Sequence, residues 1–284
     1  MSLVPISVLL KKAEEGGYAV GGFNCNNMEI VQAIIAAAEA ENSPVIMQAS
    51  QGAIKYAGIE YITAMAKIAA ENATVPVALH LDHGTSFEQT MKCIRQGFSS
   101  VMIDGSKLPF DDNVELTKRV IAVASAVGVS VEAELGKIGG TEDDIHVDEK
   151  DAFFTKPEEA KEFVERTGVD ALAVSIGTAH GQYKGTPELD FPRLEKIRSM
   201  VNVPIVLHGS SGVPDEAIKE AIKRGVRKVN IDTNIREAFV QACRDVLDND
   251  AKEIDPRMVL GPAREAATAI IREKIRLFGS SGKA

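Results

Sequence analysis

Val-Pro-Ile-Val-Leu-His-Gly-Ser-Ser-Gly-Val-Pro-Asp-Glu-Ala-Ile-Lys-Glu-Ala-Ile-Lys-Arg, residues 203–224, holds one whole structural unit. The run up to Leu207 is continuously apolar, as a parallel strand covered on both faces should be. It stops at His208 and a Gly-Ser turn. Pro214 then stands at the start of a helix, where proline is tolerated, and the pattern Ala217, Ile218, Ala221, Ile222 has helical spacing.

The same alternation fills nearly the whole chain. Apolar runs near 18–24, 44–49, 76–82, 99–104, 129–135, 170–176, 203–208 and 226–231 predict eight strands. Helical patterns between them cover Glu29–Glu41, Glu115–Val127, Pro157–Thr167, Pro192–Met200, Pro214–Arg224 and Ile235–Asp248, and 257–278 reads as an appended helix. Eight such units in 284 residues predict an α/β fold, a (β/α)8 TIM barrel with a C-terminal helix, usually ~250 residues long. An open doubly wound sheet uses the same alternation but carries a glycine-rich fingerprint at its first turn. Gly21-Gly22-Phe23-Asn24 falls inside the first strand and supplies none. With no linker and no low-complexity tract, residues 1–284 read as a single domain.

Charge and cysteine usage narrow the function classes. Acidic residues outnumber basic ones by 41 to 32, which argues against nucleic acid and against an anionic membrane surface as partners. Cys25, Cys93 and Cys243 form no paired motif and suit a reducing compartment. No basic segment precedes the short apolar run near the N-terminus, and no apolar stretch is long enough to span a bilayer, so a cytoplasmic location is expected.

Barrels of this kind place their chemistry at the carboxyl ends of the strands. Those ends carry Asn24, Ser50, Asp82-His83, Asp104, Glu134, His180, His208 and Asn230-Ile231-Asp232. Three imidazoles, His83, His180 and His208, thus share one address. Three histidines with a fourth position left for water or substrate suit a catalytic zinc, whereas structural sites are closed by four protein ligands and magnesium prefers oxygen. His80 shares strand parity with Asp82 and reads as a packed residue one layer below. His146 reads as a loop residue without a role. Asp82 either orients an imidazole or acts as a general acid/base, and Asp104 and Glu134 could assist the metal, bind a second ion or support the ligands. Gly209-Ser210-Ser211-Gly212 and Asn230-Ile231-Asp232-Thr233, after the last two strands, suit a phosphate. The polar segment 136–154 is long enough to be a lid.

Together these residues resemble the class II, metal-dependent fructose-bisphosphate aldolases of the short bacterial type. The resemblance spans essentially the whole chain. It rests on Leu-Asp-His-Gly at 81–84, Glu-Ala-Glu-Leu-Gly at 132–136, Gly-Gly-Thr-Glu-Asp at 139–143, Gly-Thr-Ala-His-Gly at 177–181, His-Gly-Ser-Ser-Gly at 208–212, Asn-Ile-Asp-Thr at 230–233 and Asp-Pro-Arg at 255–257. It implies reversible cleavage of fructose 1,6-bisphosphate to dihydroxyacetone phosphate and glyceraldehyde 3-phosphate, with Zn2+ as a Lewis acid stabilising an enediolate. By the same resemblance His83, His180 and His208 hold the zinc, and Asp104 and Glu134 flank a second, non-catalytic metal position. Asp82 serves the C4 hydroxyl, and Glu142 moves the proton at the nucleophilic carbon of dihydroxyacetone phosphate. Ser50, Gly181, Gly209, Ser210, Ser211, Asn230, Ile231, Asp232 and Thr233 bind substrate, with Lys184 near the phosphate. Arg257 would serve a neighbouring subunit, which implies a homodimer or homotetramer. The second ion, divalent or monovalent, stays open.

Three other readings compete. Tagatose-bisphosphate aldolases are the near relatives, and they tend to carry a second histidine where this chain has Gly84. Lys228, inside the eighth strand, could form a Schiff base instead of using a metal. A sugar-phosphate-binding barrel without turnover would need neither Asp82 nor Glu142 as a proton carrier.

Overall fold

The computed structural model describes residues 3–142, 145–147, 153–181, 183 and 185–284. Its strands are β1 (Val20–Asn24), β2 (Val45–Ser50), β3 (Val77–Gly84), β4 (Ser100–Ile103), β5 (Ser130–Leu135), β6 (Gly139–Glu142), β7 (Ile145–Val147), β8 (Ala171–Val174), β9 (Ala179–His180), β10 (Ile205–Leu207) and β11 (Val226–Ile231). Eight of them, all parallel, close into a barrel in the order β1-β11-β10-β8-β5-β4-β3-β2. These eight are the runs read from the sequence. The remaining three, β7-β6-β9, form a small sheet of their own.

The helices are α1 (Ile6–Gly16), α2 (Met28–Ala40), α3 (Gln51–Ala57), α4 (Ile59–Asn72), α5 (Phe87–Gln96), α6 (Phe110–Ala124), α7 (Pro157–Thr167), α8 (Phe191–Met200), α9 (Asp215–Lys223), α10 (Thr233–Asn249) and α11 (Pro256–Leu277). Their starts follow ordinary capping chemistry. Asn27, Ser86 and Asp190 each accept from a backbone N–H three residues on, and α7, α8 and α11 carry proline in the first turn. α6 begins earlier than its periodicity suggests because Pro109 precedes it and Asp111 and Asp112 favour a first turn. Four helices have no counterpart in the sequence reading. α3 and α4 are cut apart at Gly58, α5 buries only Thr90 and Cys93, and α1 turns its apolar face away from the outer ring.

α1 is the plug of the barrel. Its Ile6, Leu9, Leu10 and Ala13 pack against Val20, Ile46, Ala78, Ala171, Ala173 and Val206, the inward-facing residues at the amino ends of the strands. Ser130 Oγ pins it by accepting from Ser7 N at 3.1 Å. The larger cluster lies between barrel and helices, where Leu79, Leu81, Leu172, Leu207 and Val229 face Ile34, Ile62, Phe163 and Ile271. Inside the barrel the character changes along the axis. Above the apolar floor, Gln48, His80, Ser100, Glu132 and Lys228 are fully buried and polar.

At the outer edge, α11 packs against α2 and α10, and one carboxylate gathers its last turns and the chain just beyond. Glu41 accepts from Arg272, Arg276 and Ser281. The Arg276 hydrogen bond is the main cause that holds its carboxyl at about 2 rather than 4.5; partial burial opposes the shift, and Arg272 and Ser281 add to it. No helix among the described residues is long and apolar enough to cross a membrane.

Two outcomes follow from this packing. Leu10→Ala empties part of the plug and should lower unfolding free energy by about 2–5 kcal/mol in urea titrations. Glu41 contributes stability that is complete above its unfolded value and fades as pH falls towards about 2. The stability deficit of Glu41→Gln should therefore be largest near neutrality and shrink on acidification, and a deficit independent of pH would show that the ion pairs contribute nothing.

Candidate active site

Asp82 and His83 are chain neighbours, and a regular strand would send them to opposite faces. β3 breaks its regularity to keep both. Its pairing with β4 slips between Leu81 and Gly84, and His83 adopts φ +49°, the left-handed region. A non-glycine residue there costs on the order of 1–3 kcal/mol and persists only where its surroundings hold it. Asp104 is one such hold, with Oδ2 3.0 Å from His83 Nδ1.

His180 arrives on β9, which is anchored by its parallel pairing to β6, and His208 follows β10 directly. The ring centroids lie 4.7 Å (His83–His208), 5.0 Å (His83–His180) and 6.1 Å (His180–His208) apart. The three histidines each offer a nitrogen within 4.8 Å of the others, and His83, Asp104 and Glu134 form a second such group. His83 Nε2 and His208 Nδ1 face each other at 2.9 Å. The far nitrogens of the same two rings face carboxylates, Asp104 on His83 and Glu132 on His208, the latter at 2.8 Å. A carboxylate can only accept, and these outer contacts are the short ones, since Glu134 Oε2 stands 3.5 Å from His208 Nδ1; each ring's proton therefore points away from the centre and its lone pair inwards.

Below this triangle lies a layer of which the sequence reading names His80 and Lys228 but not the part of Glu132. Glu132 is fully buried, with Oε1 on His208 Nε2 and Oε2 2.8 Å from Lys228 Nζ. Burial alone would raise its carboxyl, but the Lys228 charge and the neighbouring imidazoles outweigh that and hold it below the ordinary range. Burial also keeps His208 below the usual histidine value, against the pull of Glu132, and burial with the Lys228 charge takes His80 well below it. His80 Nδ1 lies 2.7 Å from Ser100 Oγ, so it is the packed residue expected one layer down. Lys228 is fully buried and paired with Glu132 below the imidazoles, away from the mouth where a Schiff-base lysine would meet a ketone.

Asp82 is fully buried and receives two amides. Asn24 Nδ2 donates to Oδ2 at 2.8 Å and Asn230 Nδ2 to Oδ1 at 3.2 Å, while Gln48 Nε2 donates to Asn24 Oδ1 at 3.0 Å. Gly22 makes room for this network, because a Cβ there would lie 2.3 Å from Gln48 Oε1. Ser50 sits beside Asp82 in register, and its Oγ accepts from Ala53 N at the start of α3.

The loops after β10 and β11 are laced to each other. Asp232 N donates to Ser211 Oγ at 3.3 Å, and Ser210 Oγ donates to Leu207 O at 3.2 Å. Gly209 has φ +60° and passes so close to β9 that a Cβ would lie 2.5 Å from Ala179 O. Tyr183 buckles this contact: its hydroxyl accepts from Ala179 N at 2.6 Å and donates to Gly209 O at 2.8 Å. Burial pushes that phenol up to about 12, so it stays protonated and able to donate. Gly181 follows at φ +81°, and Thr233 opens α10, whose N-terminus adds positive potential. Two expected residues fall away from the cluster. Ile231 turns its side chain into the core, leaving only its backbone at the mouth, and Arg257 is 88% exposed and paired with Asp255. Lys184 and the side chain of Glu142 lie outside the described residues, although Glu142 closes β6.

A family model described as fructose-bisphosphate aldolase, class II, matches residues 4–283. The chain belongs to that family. It is 50% identical to the fructose-bisphosphate aldolase of Thermus caldophilus, over 97% of this chain and 98% of the other. It is equally identical to that of Geobacillus stearothermophilus, over 100% and 99%. Among solved structures, the YdjI aldolase of Escherichia coli K12 is 37% identical with a TM-score of 0.88, covering 99% of both chains.

Class II aldolases depend on zinc, and the donor set of this aldolase fits that ion. Two imidazole lone pairs facing each other at 2.9 Å, with both ring protons directed to carboxylates, form an arrangement that a cation relieves. Tyr183→Phe should unfasten β9 from the Gly209 loop. Losing these hydrogen bonds, each worth about 1 kcal/mol, should speed hydrogen exchange at the Ala179 amide roughly tenfold or more. An unchanged rate would show that the buckle carries no tension.

Proposed function

We propose that this aldolase reversibly cleaves fructose 1,6-bisphosphate to dihydroxyacetone phosphate and glyceraldehyde 3-phosphate, using His83, His180 and His208 as its zinc ligands. The observation that carries the reading is the triangle of three imidazoles, each offering a nitrogen within 4.8 Å of the others, with a buried carboxylate, Asp82, immediately before its first member. When bound, the ion would supply Lewis acidity towards the ketone oxygen of the substrate.

The rest of the chemistry belongs to the chain. In the cleavage direction Asp82 takes the proton of the C4 hydroxyl, the C4 carbonyl forms, and the C3–C4 bond breaks with its electron pair left on the C3 side. Asn24 and Asn230 hold both carboxylate oxygens, so that Asp82 meets the hydroxyl without reorganising. Glu142 returns a proton to C3, and β6 carries it on the same small sheet as His180. The backbone of Gly181 and Gly209, the hydroxyls of Ser210 and Ser211, and residues 230–233 at the start of α10 grip the phosphate next to the ketone, and Lys184 is a further phosphate ligand in this proposal. Ser50 contributes from β2. Asp104 and Glu134 flank the position for a second ion.

The active unit is at least a dimer, with Arg257 serving the second copy. Its exposure supports this, as does the solvent-facing apolar surface around it, Ile254 at 91% and Met258 at 56%.

Asp82→Ala should lower turnover by ~10²–10⁴-fold while its zinc content stays equal to that of the unaltered protein. Assays with fructose and tagatose bisphosphates, with and without chelator, test the whole reading. Chelator-resistant cleavage, or a preference for the tagatose substrate, would sink it.

A further inference from the structure

Lys228 and Glu132 sit on β11 and β5, which are separated in the barrel by β10 and β8, so their contact crosses the interior. Both are fully buried beneath the imidazoles. A buried ion pair is a poor source of stability compared with apolar side chains of the same volume. Its geometry says what else it does. Glu132 divides its two oxygens between Lys228 Nζ and His208 Nε2, each at 2.8 Å, while His80 Nε2 stands 3.6 Å away on the Lys228 side.

We infer that Lys228 and Glu132 are positioning residues for the third imidazole. Lys228 fixes Glu132, and Glu132 takes the Nε2–H of His208, which locks the ring in the tautomer and orientation that turn Nδ1 towards His83. Both ring nitrogens of His208 are chemically able to bind a metal, so an unanchored ring would sample both tautomers and both flips. Each alternative leaves a proton or a misplaced nitrogen where a lone pair is needed. The consequence is specific: losing the anchor loosens the metal, because outer partners of ligating histidines typically contribute 10–100-fold in metal affinity. This inference rests on His208 being a ligand, and the test separates the two ideas.

Three variants are compared with the full-length, unaltered enzyme: Lys228→Met, the double variant Lys228→Met/Glu132→Gln, and His208→Ala. The double variant removes both charges together, so it stays foldable even if Lys228→Met strands a buried carboxylate. Zinc affinity is read by competition with a chromophoric chelator, and the His208 tautomer by long-range proton–nitrogen correlation on metal-stripped protein. The expected result is a single Nε2–H tautomer in the unaltered protein and a mixture in the double variant. Zinc affinity should fall about 10–100-fold in Lys228→Met, if folded, and in the double variant, with turnover recovering as zinc is raised. Unchanged affinity and tautomer in the folded double variant would overturn the inference even if thermal stability fell. Unchanged affinity in His208→Ala would instead overturn the ligand assignment beneath it.

Discussion

The hydrogen-bonded seam between β1 and β11 is the interaction on which the rest of the molecule depends. Pairing of Val20 with Lys228, and of Gly22 with Asn230, turns a row of strands into a ring. In a row, the carboxyl ends of β3 and β11 would stand at distant places along an edge. In the ring, Asn24 from β1 and Asn230 from β11 meet on the two oxygens of Asp82 from β3. The proposed proton carrier is therefore assembled across the seam itself, while the ion pair from β11 to β5 spans the interior that the closure creates.

A closed ring of eight strands leaves an interior too narrow for solvent but wide enough for side chains, and this chain fills it in layers of different chemistry. At the floor the fill is apolar. At the middle it is charged, with Glu132 and Lys228 balancing each other where neither could stand alone. At the top it is a set of imidazoles and carboxylates gathered around one point. The middle layer is not a stability device. It separates a packed hydrophobic bottom from a reactive top and fixes the His208 ring above it from below, leaving its inward nitrogen for chemistry.

Much of this was legible in the sequence, and what was not has physical reasons. Parallel strands buried on both faces must be apolar runs, so all eight could be read, and their ends identified His83, His180 and His208. Glu132 was equally visible, since Val131-Glu132-Ala133-Glu134-Leu135 alternates charge and apolar residue and places both glutamates on one face. Strand parity, however, separates Asp82 from His83, and only the bulge at a left-handed histidine reunites them. Tyr183 and Gln48 act through contacts between distant segments, which no local pattern announces. Ile231 lies within a motif whose neighbours reach the mouth, yet alternation sends its own side chain to the core. α1 went unread because periodicity predicts a buried face and not which surface receives it.

That helix has a consequence for traffic. With Ile6, Leu9, Leu10 and Ala13 sealing one end, the barrel is a vessel with a single door. Substrate, both three-carbon fragments and any ion must pass the same threshold, which the 209–212 turn, the start of α10 and the small sheet of β6, β7 and β9 surround. A cleavage that makes two molecules from one in such a vessel must discharge them through the same opening, side by side or in turn. Neither fragment can leave by a back way, so the shared exit is built into the architecture at the end of the molecule farthest from the chemistry.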